Sequence, residues 1–160
     1  ILQNEFNDRI TEFRRRLNED DAVFKMQADA ITDIYTENMN EVLGACAARG
    51  QPCLVAIQPA LSVTAGYLGT RADDILSQER MVELYSLLLR KVAASPHHGG
   101  FLDLTHAFDK GEKLQYFSDS VHPNYAGQQV LAKALLAPAL VALRSSPTVP
   151  PLPARCHKPR

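Results

Sequence analysis

Hydrophobic positions along the chain follow two alternating patterns. Ile10, Phe13 and Leu17 recur at helical spacing near the start. A second helix is predicted from about Asp29 to Arg49. Ile31, Ile34, Tyr35, Met39, Val42, Leu43 and Cys46 mark its apolar face, Thr36, Glu37, Asn40 and Glu41 its polar side, and Gly50 its end. Ser77 is placed to cap a third helix, with Glu79 in its first turn and Met81, Leu84, Tyr85, Leu88 and Val92 as its stripe. A last helix is predicted over Tyr125–Leu143, with Val130, Leu131, Ala134 and Leu135 inward. Pro138 is expected to kink or end it, because proline lacks a backbone donor and clashes with the preceding turn.

Between these helices lie short continuous apolar runs. Cys53–Ile57, flanked by Pro52 and Pro59, and Phe101–Leu104 read as buried strands, and Ile1–Asn4 as the end of another. Leu61–Asp74 carries Ser62, Thr64, Gly66, Gly69 and Thr70 and reads as a loop. From Ser145 the chain is rich in proline and basic residues, so residues 145–160 read as a disordered tail to a domain spanning 1–144. Strand–helix alternation implies an α/β fold with a parallel sheet, whose working loops follow the carboxyl ends of the strands. That arrangement would bring Asn7, Gln58 and the loop around Asp119 and His122 to one edge. The opening Ile1-Leu2 reads like the interior of a strand, so the chain is expected to begin inside a longer protein. Localisation is left open, with a secreted or extracytoplasmic protein compatible.

Composition narrows the function. At 160 residues, 46% apolar, the chain can bury the core of one ordinary domain. A net charge of −1 gives no support to nucleic-acid or anionic-membrane binding. No apolar run approaches the roughly 20 residues needed to span a bilayer, so no transmembrane segment is expected. Arg14-Arg15-Arg16 and the following Glu19-Asp20-Asp21 read as a solvated face with local ion pairing. Cys46, Cys53 and Cys156 form no C-x-x-C motif; the first two are expected as buried free thiols, and the third lies in the tail. His97, His98 and His106 match no common metal-site spacing and read as surface-turn residues.

The candidate chemistry lies in Tyr116-Phe117-Ser118-Asp119-Ser120-Val121-His122-Pro123-Asn124. A histidine acting as general base needs a fixed tautomer and support for its charged form, and a carboxylate three residues away can supply both. Asp103, inside a strand, is assigned a structural hydrogen-bonding role. None of Ser62, Ser118 and Ser120 sits on a strand-to-helix turn that would expose and activate a nucleophile. Ser62 reads as a pocket residue and the other two as loop polar groups.

In its order of motifs the chain resembles the C-terminal part of the SGNH (GDSL-like) hydrolases, a family of esterases, lipases and carbohydrate acyl hydrolases. Asp119, His122, Pro123 and Gly127 match the family's closing D-x-x-H motif and the glycine entering its last helix. Tyr35-x-x-Asn38, Ile57-Gln58-Pro59-Ala60-Leu61 and Phe101-Leu102-Asp103-Leu104 agree with bacterial members. Asn4-Glu5-Phe6-Asn7-Asp8 resembles the G-x-N-D element, with Glu5 in place of the usual glycine. The resemblance therefore implies Asn7 as an oxyanion-hole donor, Asp119 and His122 as catalytic, and Gln58 and Ser62 as substrate-binding. It implies a three-layer α/β/α, flavodoxin-like SGNH fold shortened to about three strands. It further implies a small-molecule or carbohydrate acyl ester as substrate and no metal or organic cofactor. The serine of the family's G-D-S motif and a second oxyanion glycine would lie in a missing N-terminal half of the domain. The present chain alone would then be inactive. A non-catalytic binding or assembly domain, or a carbohydrate O-acyltransferase, is the alternative.

Overall fold

The computed structural model of the chain describes residues 2–63, 75–109, 113–119 and 121–144. In order these form α1 (Leu2–Glu19), α2 (Asp21–Ala48), β1 (Val55–Ile57), α3 (Gln78–Ala93), β2 (Phe101–Asp103) and α4 (Tyr125–Arg144). Short 3-10 turns lie at Leu61–Val63, His98–Gly100 and Lys113–Tyr116.

Helix α1 gives way to α2 at Asp20, whose extended backbone (φ −106°, ψ 105°) breaks the helix. Its side chain accepts the N–H groups of Ala22 and Val23 at 3.0 and 3.1 Å, satisfying donors that the first turn of α2 leaves free. Gly50 ends α2 in the left-handed region (φ 65°), with its N–H donated to the Ala47 carbonyl at 3.0 Å. Ser77 caps α3 by accepting the Arg80 N–H.

Helices α2 and α3 pack on one another, with Phe24, Ala28 and Leu43 of α2 and Val92 of α3 buried. The Arg80 guanidinium sits 4.5 Å over the Phe24 ring and pairs with Asp21 and Glu83, a cation–π contact held in place by two carboxylates. Lys91 bridges to Asp29 and Asp33 at 2.6 Å each. Asn18 fastens α1 to the approach of α3. Its Oδ1 accepts the Ser77 N–H at 2.6 Å, and its Nδ2 donates to the Ile75 carbonyl at 3.1 Å. On the triple-arginine face, Arg15 pairs with Glu12 and Glu19.

Strands β1 and β2 pair in parallel with Val55, Ala56 and Ile57 opposite Phe101, Leu102 and Asp103. The expected three-layer α/β/α sheet of about three strands is therefore not formed: the described chain is mainly helical, with two strands of three residues each. The apolar spacing of Phe6, Ile10, Phe13 and Leu17 continues one helix back to Leu2, so residues 2–4, read from sequence as the end of a strand, open α1 instead. The predicted second helix begins earlier, at Asp21, and its buried residues are Phe24, Ala28, Thr32, Thr36 and Leu43, so that Ile31, Ile34 and Val42 of the expected apolar face are exposed and Thr36 of the expected polar side is buried.

Two further expectations are corrected. Cys46 and Cys53 are joined by a disulfide, because the Gly50 turn brings the end of α2 back to the approach of β1 with the two Cα atoms 6.1 Å apart. Pro138 does not stop α4. The carbonyl that its missing N–H leaves unbonded belongs to Ala134, an exposed position open to water. Helix α4 is, by length and composition, the one described helix apolar enough to cross a membrane, although Lys133 lies near its middle. Val130 and Leu131 pack on the protein, whereas Leu136, Val141 and Leu143 are exposed.

The disulfide closes a short loop, with a sequence separation of 7. Loop-closure entropy assigns such a link about 2–3 kcal/mol. Cys46→Ser/Cys53→Ser should accordingly lower the urea midpoint, and reduction of the native chain should lower it by the same amount. Equal midpoints in the oxidised and reduced protein would contradict a stabilising role.

Candidate active site

The site is built at the carboxyl ends of the paired strands. Beyond β2 the ladder continues by one bond, from the Leu104 N–H to the Ile57 carbonyl at 3.1 Å. The chain then turns because Asp103 Oδ1 accepts both the N–H (2.8 Å) and the hydroxyl (2.6 Å) of Thr105, the structural role its strand position suggested. A small aromatic core follows. Phe108 and Leu61 are fully buried, Phe108 stacks on Tyr116 with ring centroids 5.2 Å apart, and Phe117 meets Phe108 edge-on at 5.1 Å. Val130 and Leu131 of α4 pack against the same cluster.

On this platform, Phe117–Asp119 and Val121–Pro123 are drawn together. Phe117 and Pro123 make an antiparallel bridge, and the Ser118 N–H donates to the His122 carbonyl at 2.9 Å. Asp119 organises the interior. Its Oδ1 accepts the N–H groups of Val121 (2.9 Å) and His122 (2.7 Å), while Oδ2 lies 2.7 Å from His122 Nδ1. Above all the Val121 N–H, then the His122 ring and the His122 N–H, hold the Asp119 carboxyl down at about 2. An ionised carboxylate only accepts, so Nδ1 carries the proton that faces it. With Nδ1 committed to Asp119, Nε2 is the nitrogen left to exchange a proton, on a side chain that is 74% exposed. This is the tautomer and orientation that general-base chemistry requires.

Asn124 joins the loop to α4. Its Oδ1 accepts the Gly127 N–H at 3.1 Å as a helix cap, and its Nδ2 donates to the Gln115 carbonyl at 2.5 Å. Its own N–H donates to the Tyr116 carbonyl at 2.8 Å. The sequence reading gave Asn124 no role, although an asparagine directly before a predicted helix is a capping signal. Gly127 is needed for close approach: a Cβ there would overlap the Tyr116 carbonyl oxygen and meet Pro123 Cβ at 2.9 Å.

Of the other predicted site residues, Gln58 reaches the dyad loop, donating its Nε2 to the Val121 carbonyl at 2.6 Å. Its amide is thus engaged with the protein rather than pointing only to a ligand. Asn7 is an exposed position within α1, not on a loop after a strand, and no hydrogen bond among the described residues joins it to the dyad. Ser62 falls in the 3-10 turn after β1, but its side chain, like Ser120, residues 64–74 and the tail with Cys156, lies outside the described residues. A second pair, His106 Nδ1 and Asp109 Oδ2 at 2.8 Å, lies on the turn after β2 and went unnoticed in the sequence because the aspartate follows the histidine. No cluster of three metal-capable side chains occurs among the described residues. No hydroxyl or thiol among them is hydrogen-bonded to the His122 ring, and Cys46 and Cys53 are oxidised. No protein-family model, curated protein or solved structure matches this chain.

Two outcomes are expected. Because the folded-state pKa of Asp119 is depressed, its ordering of the loop is fully present above about pH 4 and is lost as pH falls through about 2. The amide resonances of Val121 and His122 should follow that titration in NMR spectra, and an inflection near pH 4 would contradict the geometry. Gly127→Ala gains about 1 kcal/mol of helix propensity. Overlap with backbone that cannot rotate away should outweigh that gain and leave a net loss of about 1–3 kcal/mol in chemical denaturation.

Proposed function

We propose that Asp119 and His122 are the acid–base pair of a serine-dependent acyl-ester hydrolase of SGNH type. The nucleophilic serine would come from outside this chain. The observation that supports this reading is the polarised dyad: Nδ1 is committed to a carboxylate that stays ionised, and Nε2 is left exposed as a base. A serine hydroxyl brought within hydrogen-bond reach of Nε2 passes its proton to His122 as its oxygen attacks the ester carbonyl. Asp119 stabilises the resulting imidazolium. The proton then goes to the departing alkoxide. Water, deprotonated by the same nitrogen, releases the acyl group and restores the serine. Asn7, an exposed position of α1 with no hydrogen bond to the dyad among the described residues, is assigned no part in these steps. Gln58 contributes through the loop it contacts. The substrate is a small-molecule or carbohydrate acyl ester, and no cofactor is required by these steps.

The 160-residue chain alone should show no burst of p-nitrophenol from p-nitrophenyl acetate and no stoichiometric labelling by a fluorophosphonate. One label per chain on Ser62 would overturn the external nucleophile. In a longer form that does take the label on serine, His122→Ala should lower kcat by about 10²–10⁴-fold while the far-ultraviolet circular dichroism is unchanged. Undiminished turnover in that variant would remove His122 from the chemistry.

A further inference from the structure

We propose that Gln58, itself steadied by Tyr85, is a positioning residue that clamps the peptide plane between Val121 and His122 and so sets the Asp119–His122 pair. This rests on the hydrolase reading only for its catalytic consequence; the clamp is a property of the folded chain. The carbonyl of Val121 and the N–H of His122 belong to one planar trans peptide unit and point in opposite directions. The carbonyl accepts Gln58 Nε2 at 2.6 Å, and the N–H donates to Asp119 Oδ1 at 2.7 Å. Gln58 and Asp119 therefore hold the same plane from its two sides. Drawing on the carbonyl also strengthens the opposite N–H as a donor, as in other chains of hydrogen bonds.

The clamp starts from a rigid point. Gln58 lies between Ile57, 3% exposed and tied to Leu104 through its carbonyl, and the fully buried Pro59. Its own carbonyl accepts the Tyr85 hydroxyl at 3.1 Å. Burial, with a smaller contribution from neighbouring Tyr35, pushes the Tyr85 phenol upward, so it remains a protonated donor wherever the dyad can work. A continuous path thus runs from α3 through the end of β1 to the peptide that presents His122.

The test compares wild type with Gln58→Leu, which keeps side-chain bulk and removes the donor, and with Tyr85→Phe, which removes one hydroxyl. In Gln58→Leu, amide hydrogen exchange at His122 and Val121 should accelerate about three- to tenfold, the change expected from losing one neutral hydrogen bond. The Asp119 carboxyl titration, followed by carbon NMR, should move up from about 2 toward the ordinary value near 3.9. Tyr85→Phe should shift both in the same direction by less. Gln58→Glu, ionised and unable to donate at neutral pH, should match Gln58→Leu in amide exchange. Unchanged His122 exchange and Asp119 titration in Gln58→Leu would overturn the proposal. So would equal acceleration throughout α2 and α3, which would make Gln58 a general stabiliser. These readings do not involve turnover. If they move as expected and no form of the protein hydrolyses an ester, the clamp stands and the hydrolase reading falls.

Discussion

The parallel pairing of β1 with β2 is the constraint on which the rest of the site depends. It fixes the two chain segments side by side over three residue pairs and one further backbone bond. So short a ladder is weak in isolation. It persists here because Ile57 and Leu104 at its carboxyl end are buried. Once both strands end at the same level, Gln58 and the turn at Asp103–Thr105 must emerge on the same side. The dyad loop is then within reach of Gln58 without any long connection.

The molecule divides its apolar burial unequally. Phe24, Ala28, Leu43 and Val92 support the α2–α3 pair, whereas Leu61, Phe108 and Phe117 form a separate small cluster beneath the dyad. The loop above that cluster is held mainly by hydrogen bonds around exposed side chains. Such a segment belongs among the less stable parts of a fold. Asp119 counters this by collecting three donors on one carboxylate, which makes local order and the state of the histidine a single property.

Much of this was legible from residue patterns, for physical reasons that differ by element. The stripes of α3 and α4, the cap at Ser77 and the two apolar runs that became β1 and β2 are local signals, and each led to an element with nearly the expected bounds. The Asp119–His122 contact was legible because its whole geometry is contained in four residues. Residues 2–4 misled because a short apolar run has no periodicity of its own; the helix downstream decided their conformation. From that error followed the larger one, a three-stranded layered sheet and a loop position for Asn7. The cysteines misled because a disulfide depends on how a turn aims two side chains, and spacing alone does not encode that direction. The Tyr85–Gln58–Val121 path was invisible because its members are 27 and 63 residues apart.

The Cys46–Cys53 bond carries a consequence for how the protein is made. Both cysteines and the turn between them precede β1, so the bond can close on a nascent chain before α3, β2 or the dyad loop has been synthesised. Its closure is a two-electron oxidation, and bonds of this kind form and persist in oxidising surroundings. The covalent link at the end of α2 thus needs none of the residues that hold His122, all of which follow it in the chain.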